Sequence, residues 1–482
     1  PAPGLPHLTE PDDPQMISRR AKIVCTIGPA VESREGIRGL IEAGMDVARL
    51  NFSHGTHEEH GARIEMIRQE SAALGKQVAL LQDLCGPKIR TAKVGPAVLI
   101  NGDRVDMIAG DVGDDKTIAI TYEPLSQDVR PEDRILLSDG QVELRVVGVR
   151  GERVECIVEH GGPMRPKMGV NLPSGSLRLP ALTEKDRKDL DFGLAMDLDY
   201  VALSFVRRAE EVQELREICE RKGKPTPIIA KIETPGAVER LDSIVRASDG
   251  AMVARGDLGV ELPPETVPVI QKQIIGTCRI HRKPVIVATE MLASMVDSPR
   301  PTRAEASDVA NAVFTGADAV MLSAESASGK FPLQSVRMMD RIIRQAEGSR
   351  FFAPDPSEPD HTTPDSIAHA ACAIAREVGA KLIVTVTETG LTTRLVSKAR
   401  PTAPILAFSA DERTLRRLAL YWGTTPRALV GKTSTVEDQV RNTSQFLADN
   451  GLVKSGERYV MVYGARVGVR GATNGVRVEQ LP

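Results

Sequence analysis

Short apolar runs recur along the chain, and most end in polar or charged residues. The runs at 22–27 (KIVCTI), 46–50 (DVARL) and 78–82 (VALLQ) alternate with stretches of helical spacing at 31–43 and 58–73. Such runs read as buried strands, and the stretches between them as amphipathic helices. From about 87 to 180 the rhythm changes. Segments such as RVDMIAG, KTIAITY, DRILLSDG, QVELRVVGV and RVECIVEH follow a period of two, with Gly and Asp turns between them. That pattern predicts a small β-barrel or sandwich. After 182 the first rhythm returns. It predicts strands at 200–205, 227–233, 250–255, 284–289 and 319–322, with helices near 208–222, 265–282, 302–314 and 333–347.

Eight strand–helix units is the number that closes a TIM (β/α)8 barrel. The expected architecture is α/β: a barrel built from 18–86 and 182–348, with a β-rich lid domain, 87–181, inserted after the third strand. The Pro-rich, acidic stretch 351–364 marks a boundary. Beyond it, 349–482 reads as a smaller α/β domain with a helix at 366–378 and strands at 382–386, 405–408, 428–430 and 459–463. Residues 1–17, rich in Pro and acid and without an apolar run, read as a mobile lead-in rather than a signal peptide.

Composition narrows the function classes. A net charge of −3 over 482 residues argues against a general nucleic-acid surface. The six cysteines form no CxxC pair, so neither a disulfide framework nor a zinc site is expected, and a cytoplasmic location fits. No apolar run approaches the ~20 residues of a membrane span.

The chemistry collects at the predicted C-terminal strand ends, where parallel α/β proteins bind ligands. Arg49, Asn51 and Ser53 follow the second strand and Asp83 the third. Ser204 follows the fourth, Lys231 and Glu233 the fifth, Gly256 and Asp257 the sixth, Thr289 the seventh, Ser323 and Glu325 the eighth. Two neighbouring carboxylates invite a hard cation such as Mg2+, and a lysine beside them would face an anionic substrate. The reaction class this points to is metal-assisted work on a phosphate or an enolate. Glu325 reads more simply as a helix-start carboxylate. Thr289 reads as a helix cap at 290 and as part of the chemistry, two compatible roles.

NFSHGTHEEH, GPKIR, KIE, MVARGDLGVE and PRPTRAEASDVANAV, in this order and on this architecture, resemble the pyruvate kinase family over about residues 20–480. The resemblance implies phosphoryl transfer from phosphoenolpyruvate to ADP, giving pyruvate and ATP. It implies that Glu233 and Asp257 hold Mg2+, with Mn2+ as a substitute, and that the Gly256 and Asp257 amides cradle the substrate carboxylate, a proximity requiring no side chain at 256. Lys231 would neutralise charge on the transferring group, Thr289 would orient a water relay, and Arg49 would grip phosphate. Asn51, His54, Arg90 and Lys167 would face the nucleotide, while Thr302 and Arg303 lie beside the site. A homotetramer is implied by the same resemblance.

Departures from the family pattern carry information. The K+ pocket would comprise Asn51, Ser53, Asp83 and a Thr, but the Thr position is Leu84, and a family Glu is replaced by Lys88. A fixed ammonium can stand in for a monovalent cation and repel a second, so activity without K+ is expected. A lysine that touches ATP falls on Met168, beside Lys167, and Glu290 also departs from the pattern. In the C-terminal domain the loop 387–392, with Thr387, Thr389, Gly390 and Thr392, is a candidate site for a phosphorylated allosteric effector, with Arg466 and Arg470 from the last loop. Two other readings compete. A Mg2+-dependent lyase would need no nucleotide lid, and a non-catalytic sensor would not need the whole ring of strand-end residues.

Overall fold

The computed structural model describes residues 19–93, 95–173, 178–353, 360–429, 435–465, 471 and 473–482. The predicted lead-in, 1–17, lies outside them. Eight parallel strands close a barrel in sequential order: Lys22–Thr26, Val47–Asn51, Ala79–Asp83, Tyr200–Leu203, Ile228–Ile232, Gly250–Ala254, Val285–Ala288 and Ala319–Leu322. The last strand pairs with the first, Lys22 opposite Ala319.

Alternation along each strand divides the core in two. Ile228, Ala230 and Ile232 pack outward against the helices. Ile229 packs inward with Val24, Val47, Leu81, Ala202, Met252, Ile286 and Met321. A strand puts residues i and i+2 on one face. The inward row therefore continues from Ile229 to Lys231 and Glu233, from Leu81 to Asp83, from Val47 to Arg49 and Asn51, and from Ala202 to Ser204. The barrel is apolar below and polar at its C-terminal mouth because the inward positions change chemistry near the strand ends.

The lid leaves after the third strand, as predicted. Its main sheet has seven strands, and its edges meet: Thr91 bridges Ile120, Ala92 N donates to Ala119 O at 2.8 Å, and Thr121 N donates to Arg90 O at 2.9 Å. It has its own core, which includes Met107, Tyr122, Leu137 and Cys156.

The C-terminal sheet has five strands in the order Thr424–Ala428, Ile405–Ser409, Ile383–Val386, Arg458–Gly464, Thr473–Gln480. Two expectations fail here. The strand expected at 428–430 runs from Thr424 to Ala428, with Thr424 opposite Ile405 and Ala428 opposite Ser409. Pro426 disguised it, yet proline is tolerated on an edge strand. A final strand, Thr473–Gln480, absent from the strands expected from the sequence, pairs antiparallel with Arg458–Gly464. Its alternation of Val476 and Val478 is weak because this outer strand is largely exposed.

This domain seals the base of the barrel. Ala419 and Leu420 join the inward apolar cluster, and Tyr200 Oη donates to Arg417 O at 2.8 Å. Lys22 Nζ donates to Thr424 O at 2.7 Å. Asp318, ahead of the eighth strand, takes Lys398 Nζ at 2.8 Å and Arg400 Nη2 at 3.0 Å, all three buried.

Candidate active site

The inward rows converge on Lys231. Its ammonium lies 2.7 Å from Ser204 Oγ, 2.8 Å from Glu233 Oε1 and 3.3 Å from Asp83 Oδ1. Burial alone would lower the lysine pKa, but Asp83 and Glu233 hold it above the ordinary lysine range. Glu233 is fully buried, and its Oε2 accepts from Phe205 N at 2.7 Å. Its Oε1, though beside the ammonium, accepts no hydrogen bond of good geometry. Burial raises the Glu233 pKa, with Lys231 opposing and Asp257 adding to the rise. Asp257 thus acts electrically on both members of the pair.

Asp83 is shared. Arg49 Nε donates to Asp83 Oδ2 at 2.7 Å, and Arg49 Nη1 to Thr26 Oγ1 at 2.9 Å. Burial would raise the Asp83 pKa, but Lys231 and Arg49 bring it below the usual carboxylate range. Ser204 Oγ donates to Leu84 O at 2.7 Å. The structure therefore brings Arg49, Asp83, Leu84, Ser204, Lys231 and Glu233 into one network.

The sixth strand does not run on through Arg255, as the sequence reading had it. It turns at once into a short helix, Arg255–Glu261, so Gly256 and Asp257 lie in a first helical turn. Gly256 N donates to Thr289 Oγ1 at 2.7 Å. A Cβ at 256 would stand 3.5 Å from that oxygen, an ordinary contact. No neighbour within the protein demands glycine there, so the expected requirement for glycine rests on the approach of a ligand.

Thr289 adopts φ 68° and Glu290 φ 55°. A β-branched residue is seldom left-handed, and here the turn breaks the inward–outward alternation and brings Thr289 to Gly256. The next helix, Ala293–Val296, is capped at Leu292, so Thr289 caps nothing and the capping role falls. Arg255 grips the turn: Nη2 and Nε donate to Thr289 O at 2.6 and 3.2 Å, and Nη1 meets Asp308 Oδ2 at 2.5 Å. The sequence assigns no role to Arg255, whose partner is a backbone carbonyl 34 residues away, or to Asp308, whose partner is Arg255, 53 residues away.

Other expected residues sort plainly. Glu325 accepts from Ser323 N at 2.7 Å and Leu292 N at 3.1 Å, a structural role. Thr302 caps the helix Arg303–Phe314 through a capping box with Glu305. Asn51 Oδ1 accepts from Ser53 N at 3.1 Å. His54 is exposed, and its carbonyl pairs with the His60 ring at 2.9 Å. Arg90 Nη1 donates to Lys167 O at 3.0 Å, and both side chains are exposed on the lid. Met168 is instead buried in the lid core, so its side chain cannot take over a phosphate contact. Lys88 is exposed and makes no ion pair among the described residues, so no direct bond carries its ammonium to Asn51, Ser53 or Asp83.

In the C-terminal loop, Thr387 Oγ1 accepts from Gly390 N at 3.0 Å, and Thr392 Oγ1 pairs with Thr473 Oγ1 at 2.6 Å. Both threonines are buried; only Thr389 of the four named residues is exposed. Arg466 and Arg470 lie outside the described residues.

Comparisons with known proteins agree with the fold. The family model "Pyruvate kinase, barrel domain" matches residues 18–336, and "Pyruvate kinase, alpha/beta domain" matches 365–479. A pyruvate kinase of Mycobacterium intracellulare is 45% identical over 96% of this chain and 99% of its own length. One of Agrobacterium vitis is also 45% identical, over 96% and 98%. A solved pyruvate kinase from Cryptosporidium parvum superposes with a TM-score of 0.90 at 37% identity, covering 96% of this chain and 97% of that one. Likeness of this extent, from end to end and in both sequence and fold, places the chain in the pyruvate kinase family, whose reaction joins phosphoenolpyruvate and ADP to pyruvate and ATP.

Proposed function

We propose that transfer here requires Mg2+ held by Glu233 and Asp257, and that Lys231, Thr289 and Arg49 act on the reacting groups. The observation that carries this is Glu233 Oε1: a fully buried carboxylate oxygen, beside Lys231, that accepts no well-formed hydrogen bond. Among the described residues no cluster of three or more His, Cys, Asp or Glu could hold a metal unaided. A two-carboxylate site completed by substrate oxygens and water suits Mg2+, which keeps several waters and needs few protein ligands. Bound there, the cation would offset charge on the phosphate and enolate oxygens.

The chain's own residues supply the rest by positioning and electrostatics, without a protein nucleophile. Lys231 stays cationic and neutralises charge on the moving phosphoryl group and the enolate oxygen. Arg49 offers Nη2 to a phosphate oxygen, since Nε and Nη1 are spent on Asp83 and Thr26. The Gly256 and Asp257 amides receive the substrate carboxylate, and Thr289 orients the water that protonates the enolate carbon. Its hydroxyl pKa is too high for it to be a free donor. Asn51, His54, Arg90 and Lys167 face the nucleotide.

The same reading extends to regulation and setting. Loss of a hydroxyl at Leu84, with Lys88 nearby in sequence, supports activity without K+. Thr389 and the start of the helix Leu391–Lys398 support a phosphorylated effector site, with the buried threonines shaping the loop rather than touching the ligand. We read the domains as 18–86 with 182–348, 87–181, and 349–482, and the assembly as a homotetramer in the cytoplasm. Among the described residues no helix is long and apolar enough to cross a membrane. The test is pyruvate formation from phosphoenolpyruvate and ADP, with Mg2+ and then without, in buffer free of K+. Activity that survives removal of divalent cations would sink the metal assignment.

A further inference from the structure

A side-chain pair joins the lid to the barrel. Asn171 ends the lid strand Gly169–Asn171, and its Nδ2 donates to Glu261 Oε1 at 2.7 Å. Glu261 ends the helix Arg255–Glu261, whose first turn carries Gly256 and Asp257. Asp257 and Glu261 stand four residues apart, on one face of that helix. On the lid side, the strand of Asn171 pairs antiparallel with Ile89–Arg90, Gly169 opposite Arg90, and Arg90 also holds Lys167 O. One side-chain bond thus joins the strand pair bearing the exposed cations of the lid to the helix bearing Gly256 and Asp257.

The bond is unequal to ordinary packing. Both residues are half-buried, and a donor to a carboxylate makes a stronger hydrogen bond than a neutral pair. Burial raises the Glu261 pKa, the Asn171 amide opposes the rise, and Asp257 adds to it. The amide therefore favours the charged form of a carboxylate that would otherwise be poorly solvated.

We propose that Asn171 and Glu261 form a latch that sets the lid over the Gly256 and Asp257 turn. Both are positioning residues: they hold the nucleotide-facing cations at a fixed height above Lys231 and touch no reacting atom. The proposal rests on the reading of Gly256 and Asp257 as the substrate turn.

The test pairs kinetics with hydrogen–deuterium exchange of the ligand-free enzyme. Asn171→Ala should speed exchange in peptides spanning the lid's return to the barrel, and lower kcat/KM for ADP about tenfold with a smaller change in KM for phosphoenolpyruvate. Asn171→Asp, which sets a carboxylate against Glu261, should do more of both. Glu261→Gln keeps the acceptor and should stay near wild type. The double variant Asn171→Ala with Glu261→Ala should be no worse than the poorer single. Wild-type exchange and ADP kinetics in both Asn171 variants, or losses that multiply in the double variant, would overturn the latch. Asp257→Asn assayed alongside separates the two readings. Normal turnover in that variant, with fast exchange in Asn171→Ala, refutes the metal role of Asp257, and with it the reading of this turn as part of the site, and keeps the latch. An inactive Asp257→Asn with unchanged exchange in Asn171→Ala refutes the latch alone.

Discussion

The Gly256 amide donates to the Thr289 hydroxyl at 2.7 Å, and that hydroxyl in turn donates to the Ala288 carbonyl at 2.6 Å. The amide proposed to receive the substrate carboxylate is therefore already engaged by the hydroxyl proposed to orient the proton relay. Substrate binding at Gly256 must share or displace that bond, which would free the Thr289 hydroxyl as the substrate arrives. Thr289→Ser keeps the hydroxyl and should retain most activity. Thr289→Ala should lower kcat by about 10²-fold with little change in KM for ADP. Steady-state kinetics decides, and equal kcat in both variants would remove Thr289 from the relay.

Lys231 bridges two buried carboxylates, Asp83 and Glu233. Lys231→Met should still bind phosphoenolpyruvate yet lose about 10³-fold in kcat. It should also destabilise the fold by about 3–5 kcal/mol, because Glu233 and Asp83 are left with less compensation. Single-turnover kinetics and thermal unfolding read the two effects separately. Unchanged turnover in a folded variant would show that Lys231 has no part in transfer.

The wild-type enzyme should reach full rate with Na+ or an organic cation in place of K+. A Leu84→Thr, Lys88→Glu double variant restores the hydroxyl and removes the ammonium, and should then respond to K+ by about tenfold or more. Among the described residues Lys88 makes no ion pair, so the two single variants show which change matters. Strong K+ activation of the wild type would end the argument from Lys88.

Asp318 anchors the C-terminal domain to the barrel base through Lys398 and Arg400. Asp318→Ala strands two buried cations and should cost about 3–5 kcal/mol, seen as a lower midpoint in thermal or urea unfolding. Lys398→Met should cost less, since Asp318 keeps Arg400 and the Val285 amide at 2.8 Å. Equal costs would mean that packing, not charge, holds the joint.

Asp46 provides a test by pH. Burial would raise its pKa, but Arg19, Lys22 and the Ile23 amide bring it down to about 2 from an ordinary 3.8. A depressed carboxyl pKa stabilises the fold above the unfolded value, and that contribution disappears as pH falls from about 4 towards about 2. Linkage puts it at about 2 kcal/mol. The stability gap between wild type and Asp46→Asn should therefore be full at pH 7 and narrow below pH 4. A gap independent of pH would exclude the ion pair as its source.

The barrel and most of its mouth are legible from the sequence, because both follow from local periodicity. A strand's alternation decides which residues face inward, so Ile229, Lys231 and Glu233 share a face whatever surrounds them. Position at the strand end then sets depth, and Arg49, Asp83, Ser204 and Lys231 could all be named before any contact was known. Tertiary structure alone decided what depends on distant partners. The left-handed turn at Thr289 is held by Arg255 and Asp308, and no local pattern encodes it. The edge strand Thr424–Ala428 exists because Ile405–Ser409 offers it a ladder, although its own residues include a proline. The loop threonines at 387 and 392 are used up by partners within the domain, and Lys88 is left exposed. The bond between Asn171 and Glu261 joins residues 90 positions apart. Periodicity is a property of neighbouring residues, whereas a hydrogen bond across domains appears only once the chain has brought its donor and acceptor together.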